Sequence, residues 1–110
     1  MVSKYSIEYT ATVLKSIKST LSYISIKLFN QVAAKKLLNL INEAINKISN
    51  FPFAFPDCSI FYINDTFTRH IIIKNYILIY RINEKKNVIY ILDFFYSKVK
   101  INNIYSTITN

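Results

Sequence analysis

A chain of 110 residues, 52% of them hydrophobic, supports one folded domain and excludes both a multidomain enzyme and a disordered segment. The formal net charge of +8 favours a polyanionic partner such as nucleic acid, the ribosome or an acidic protein, although an AT-rich coding sequence rich in Lys, Asn and Ile and free of glycine gives the same excess. One cysteine and one histidine exclude a disulfide framework and a zinc or iron–sulfur site, so no cofactor or metal is expected.

Residues Met1-Val2-Ser3-Lys4-Tyr5-Ser6 lack the apolar stretch of a signal peptide, and no apolar run approaches the ~20 residues that span a bilayer. A cytoplasmic protein without a membrane partner is therefore expected.

The first strand is expected over Tyr5–Tyr9, where Tyr5, Ile7 and Tyr9 alternate with Ser6 and Glu8. From Ala11 the period lengthens. Leu14, Ile17, Leu21, Ile24 and Leu28 recur at three and four residues, the stripe of an amphipathic helix. Asn30 offers an N-cap for a second helix, in which Ala34, Leu37, Ile41, Ala44, Ile45 and Ile48 share the apolar face. That helix ends near Phe51, because Pro52 cannot continue it. Two helices joined at Phe29-Asn30 predict an antiparallel hairpin.

The connection Phe51-Pro52-Phe53-Ala54-Phe55-Pro56-Asp57 is irregular, and its phenylalanines are expected to seal the bottom of the core. Three β runs follow at Arg69–Lys74, Tyr76–Asn83 and Asn87–Tyr96, separated by Lys74-Asn75 and Glu84-Lys85-Lys86. Without glycine, Asn75 is the residue expected at positive φ in the first turn. The fold class is thus α+β, in the order β-α-α-β-β-β, an antiparallel sheet packed on one face by a helical hairpin. Residues 1–100 form the single domain; the tail at 101–110 is left open as a fraying strand, a short helix or a flexible end.

This order, the length and three local patterns resemble the RelE/ParE toxin superfamily. The patterns are Tyr5-Ser6-Ile7-Glu8-Tyr9-Thr10-Ala11, then Asn30-Gln31-Val32-Ala33-Ala34-Lys35-Lys36 running through to Phe51-Pro52, and the central Arg69–Arg81 hairpin. Val88 through Lys98 resembles the closing strand and its basic end. The resemblance implies the toxin of a type II toxin–antitoxin pair, which blocks growth unless a cognate antitoxin holds it. It leaves two target classes: DNA gyrase for ParE-like members, and messenger RNA in the ribosomal A site for RelE-like nucleases.

RNA cleavage needs a group beside the ribose 2′-OH, cations on the reacting phosphate and an acid for the leaving oxygen. The resemblance implies an arginine after the central tyrosine in RelE-like nucleases, whereas here Ile77 follows Tyr76. Isoleucine stabilises no phosphorane, so the ParE-like mode is preferred, and an Ile77→Arg substitution is the natural probe of any surviving nuclease framework. If cleavage occurs, the resemblance points to Arg69, Tyr96 and Lys98 as its catalytic residues.

The remaining residues have ordinary structural readings. His70 should face away from Arg69, as a partly exposed residue of the same strand. Lys74 and Arg81 read as solvated charges, Tyr76 and Tyr80 as packing residues, and Cys58 as lacking the context of a nucleophile. The helical lysines Lys15, Lys18, Lys27, Lys35, Lys36 and Lys47 suit a solvated face, an acidic antitoxin or the target. The antitoxin's expected footprint is the sheet face and the helical hairpin.

Overall fold

A computed structural model describes residues 5–59 and 65–97. Within them run β1 (Ser6–Tyr9), α1 (Ala11–Ser22), a π-helical turn (Tyr23–Lys27), α2 (Gln31–Asn50), a 3-10 turn (Pro52–Ala54), β2 (Thr68–Ile73), β3 (Tyr76–Asn83) and β4 (Val88–Tyr96). Lys98 and the 101–110 tail lie outside the described residues.

The strands lie in the order β1-β4-β3-β2. The β2–β3–β4 meander is antiparallel, as its short polar turns require. β1 instead pairs with β4 in parallel, Ile7 opposite Ile89 and Tyr9 opposite Ile91, so the sheet is mixed rather than wholly antiparallel. A parallel partner needs a long crossover. The whole excursion through α1, α2, β2 and β3 supplies it.

Thr10 sits where these pieces meet. Its hydroxyl oxygen accepts from the Val13 amide at 3.1 Å, capping α1, and donates to the Leu92 carbonyl at 3.1 Å. Leu92 is the extra residue of a β-bulge, because Ile79 pairs with Asp93 while the next residue, Tyr80, pairs with Ile91. One threonine therefore fixes the end of β1, the start of α1 and the irregular point of β4.

The core fills the space between the helices and one face of the sheet. α2 contributes Leu37, Ile41, Ala44, Ile45 and Ile48, and the sheet contributes Ile71, Ile73, Leu78, Tyr80, Ile82, Ile89, Ile91 and Phe94. Each fully buried aliphatic side chain is worth roughly 1.5–3 kcal/mol. The face expected for α2 is the face it buries, and Asn30 caps it by accepting from the Ala33 amide at 3.0 Å.

α1 departs from its expected stripe. Leu14 and Leu28 are more than half exposed, and Val13 is the residue fully buried. The Thr10 cap sets the helix phase so that Val13 faces β4, with Ile17, Leu21 and Ile24 packed at its margin. Beyond them the π-helical turn rotates Leu28 away, its amide bonding Tyr23 five residues back.

In the absence of glycine, left-handed backbone falls to Phe29, Lys74 and Asn87. Lys74, not Asn75, takes positive φ in the β2–β3 turn. Positive φ at the first central residue gives the primed-turn twist that a two-residue hairpin requires. The second position can then remain in the ordinary region.

Thr10→Ala should cost about 1–2 kcal/mol in urea unfolding, since it removes a cap and a donor together. Thr10→Ser, which keeps the hydroxyl, should retain most of that stability.

Candidate partner-binding surface

Arg69 and Tyr80 lie side by side on the helix-covered face and hold the chain that follows α2. The turn there leaves carbonyls without helical partners, and such groups need donors. The Tyr80 hydroxyl donates to the Pro52 carbonyl at 2.6 Å. Arg69 Nη1 donates to the Phe55 carbonyl at 2.8 Å and the Phe53 carbonyl at 3.1 Å, while Nε donates to Thr66 at 2.9 Å. The guanidinium also lies over the Phe53 ring, 5.0 Å from its centroid. Burial pushes the Tyr80 phenol well above its ordinary pKa, which keeps it a donor.

Consequently the backbone of this loop is drawn in while two of its rings point out. Phe51 and Phe53 are exposed, and only Phe55 packs against the core, contrary to the expectation that all three seal it. Phe53 meets Phe67 edge to face at 6.1 Å, and both rings border solvent.

Tyr96 stands at the other end of the sheet. It pairs with Tyr76, whereas Arg69 pairs with Tyr80, four residues along the same strand. That separation is about 13 Å along β3 alone. Arg69 and Tyr96 are therefore not brought together, and Lys98 is outside the described residues. Ile77 is 1% exposed on the opposite face from Tyr76 and Tyr80, cross-strand from Ile72 and Phe95. An apolar residue thus occupies the position where a nuclease resemblance calls for a cation.

The face away from the helices is partly covered as well. His70 is 3% exposed rather than partly exposed, and its Nδ1 lies 3.9 Å from the Cys58 thiol. The Pro56–Asp57 stretch pairs with the outer edge of β2 through the His70 amide bond to Pro56 and an Asp57–Arg69 bridge, and so brings the Cys58 side chain against His70. Burial depresses the His70 pKa against the opposing pull of Asp57. Burial, with help from the Asp57 carboxylate, pushes the Cys58 thiol up to about 11. A buried, protonated thiol beside a neutral imidazole is packing, not a nucleophile. Arg81 is likewise no free charge: it pairs with Asp65 and bonds the Thr68 hydroxyl, so the start of β2 is tied to β3.

The open surface lies at the helical hairpin. Tyr23, Ile26, Leu28, Phe29 and Val32 are each more than half exposed, with Phe29 at 89%. Beside them an apolar groove of about 500 Å³ runs between Ser19, Thr20, Tyr23, Ile24 and Leu28 on the helical side and Tyr76 and Tyr96 on the sheet. Tyr76 stacks on Phe94 at 4.9 Å and meets Tyr96 edge to face at 5.5 Å, so aromatic rings floor the groove. Lys27, Lys35 and Lys36 are exposed nearby. A large apolar patch rimmed by charge is the usual mark of a protein interface. The sequence carried a trace of it: Ile26, Phe29 and Val32 are apolar but fall off both helical stripes. Among the described residues no cluster of His, Cys, Asp and Glu could hold a metal, and no helix is long and apolar enough to cross a membrane.

A family model described as the ParE toxin of the type II toxin–antitoxin system, parDE, matches residues 7–99. No curated protein matches the chain. A solved structure titled "Chromosomal ParDE TA system from P. aeruginosa" is similar, with a TM-score of 0.66 and 12% identity over 86% of this chain and 97% of that one. At that identity the likeness concerns the fold.

Arg69→Ala should lower unfolding stability by about 2 kcal/mol or more, because it leaves three loop carbonyls without their charged donor; an unchanged urea midpoint would mean that the guanidinium is dispensable to the fold. The His70 imidazole has a folded pKa below its unfolded 6.5, so the unfolded chain binds more protons in acid. Stability should hold above pH 6.5 and fall as pH drops below it, and His70→Gln should flatten that slope between pH 7 and 5.5.

Proposed function

Since the chain belongs to the ParE toxin family of type II toxin–antitoxin systems, we propose that it arrests growth by binding DNA gyrase, with no covalent chemistry of its own. The observation that carries this reading is the state of the nuclease positions. Arg69 is spent on loop carbonyls, Tyr96 is about 13 Å away along the strand, and Ile77 is a buried hydrocarbon. Phosphoryl transfer to a ribose hydroxyl needs cations aimed at one phosphate. A binding inhibitor needs only a surface, and the hairpin tip with its groove provides one.

The restraining partner is an antitoxin, as in the similar ParDE system. The basic balance of the chain, +8, favours an acidic one, and an amphipathic segment suits the exposed apolar residues of the hairpin. The action is placed in the cytoplasm, where gyrase works on DNA. The messenger-cleaving alternative would need Arg69 to leave its carbonyls and join Tyr96 and Lys98 on a single phosphate.

Induction of the chain alone in a bacterial host should depress thymidine incorporation within minutes, before amino-acid incorporation falls, and the purified protein should inhibit supercoiling by gyrase. An early fall in protein synthesis with intact supercoiling would overturn the gyrase reading in favour of the ribosome. Ile77→Arg should yield unfolded protein rather than a nuclease, since it forces an unpaired cation into a site 1% exposed.

A further inference from the structure

The turn between α1 and α2 sets a phenylalanine where the backbone least favours one. Among the described residues, positive φ falls to Phe29, Lys74 and Asn87. At the last two the glycine-free chain uses polar side chains that water solvates. At the first it places an aromatic ring, at a φ of 50° that crowds a bulky side chain against its own backbone. The neighbouring bonds require that conformation. The Leu28 amide donates to the Tyr23 carbonyl and the Asn30 amide to the Ile24 carbonyl, both at 3.1 Å. Backward bonds of this kind close a helix end around a left-handed residue, a place that glycine or asparagine usually fills. One residue later Asn30 caps α2. Phe29 thus reverses the chain between two fixed helix ends, with its ring 89% exposed.

Neither packing nor backbone preference accounts for that ring. Binding does. An aromatic side chain on a rigid turn loses little freedom when a partner takes it up, which is what makes such anchors effective. Ile26, Leu28 and Val32 flank it in the chain, each more than half exposed, and can exclude water around a seated ring. The charge nearby has one sign. From Tyr9 to Asn42 the chain carries Lys15, Lys18, Lys27, Lys35 and Lys36 and no acidic residue, and Lys27, Lys35 and Lys36 are exposed beside the tip. We propose that Phe29 is the anchor of this chain on DNA gyrase, seated in an apolar pocket of that enzyme whose rim is acidic. The proposal rests on the gyrase reading and adds to it the residue that carries the affinity and the chemistry of the surface that receives it. It also has a signature that a structural residue lacks: relieving the turn strengthens the fold and weakens the inhibitor.

The test pairs urea unfolding with supercoiling of relaxed plasmid by purified gyrase, using the full chain and three variants. Phe29→Asn removes the ring and installs a residue that tolerates left-handed backbone. Its urea midpoint should lie at or above that of the unmodified chain, while half-inhibition of supercoiling should need at least about tenfold more protein. Lys27→Glu should weaken inhibition about threefold by setting acid against acid; unchanged inhibition there overturns the acidic rim. Phe51→Asn is the control, since Phe51 is 67% exposed at the other end of α2, roughly 30 Å from the tip, and its loss should leave inhibition unchanged. Full inhibition by Phe29→Asn overturns the proposal, and sedimentation velocity then shows whether the ring serves a second copy instead. A lower urea midpoint for that variant overturns it as well, because the ring would then support the fold. So do equal losses at Phe29 and Phe51, which make exposed rings in general responsible. If the unmodified chain leaves supercoiling intact, the gyrase reading itself falls and takes the proposal with it, a result distinct from failure at Phe29 alone.

Discussion

The interaction on which the remaining arrangement turns is the grip of Tyr80 and Arg69 on the chain leaving α2. A 20-residue helix delivers its C-terminus to the edge of the sheet, and the following turn presents carbonyls that the helix cannot satisfy. One phenol and one guanidinium, adjacent across β2 and β3, meet the carbonyls of Pro52, Phe53, Phe55 and Thr66. The helical layer is thereby joined to the sheet at the end opposite the hairpin tip. The same bonds decide what the molecule can do. A cation holding backbone oxygens inside the protein is not aimed at a phosphate outside it, and a buried phenol raised in pKa is no general base.

What could be read in the sequence was whatever a periodic pattern encodes. α2, its asparagine cap and its buried face follow from apolar spacing and one side-chain acceptor, and the β3 strand keeps its expected bounds at Tyr76 and Asn83. What could not be read depended on contacts far apart in the chain. Val13 outranks Leu14 because Thr10 reaches across to Leu92, a pairing 82 residues away that sets the phase of α1. Phe51 and Phe53 turn outward because polar groups claim their backbone, which no hydrophobicity pattern can anticipate. His70 is buried in part because the stretch paired along the β2 edge brings Cys58 against its ring, while its alternation within β2 was correctly placed opposite Arg69. Lys74 rather than Asn75 bears positive φ, since the hairpin twist chooses the position and not the residue best suited to it.

For the candidate site the balance was different. The family model matches residues 7–99, and the order of motifs that resembles the superfamily was legible in the sequence. The exposed apolar surface at the hairpin tip was not, because several of its residues break the helical pattern. Ile26, Phe29 and Val32 have no place in a two-helix core and gain a reason only when the tip is seen to be uncovered. Apolar residues kept outside in this way lower the solubility of the chain when alone. The exposed lysines of the tip, Lys27, Lys35 and Lys36, offset part of that cost.

The parallel pairing of β1 with β4 also has a meaning in time. Ser6 to Tyr9 leave the ribosome long before their partners, Val88 to Ile91. Until those partners emerge the first strand waits without a ladder, and Thr10 without its Leu92 acceptor. Such long-range closure is slow compared with helix formation. The parallel edge of the sheet therefore closes only after β4 has been made, whatever the helices have done before it.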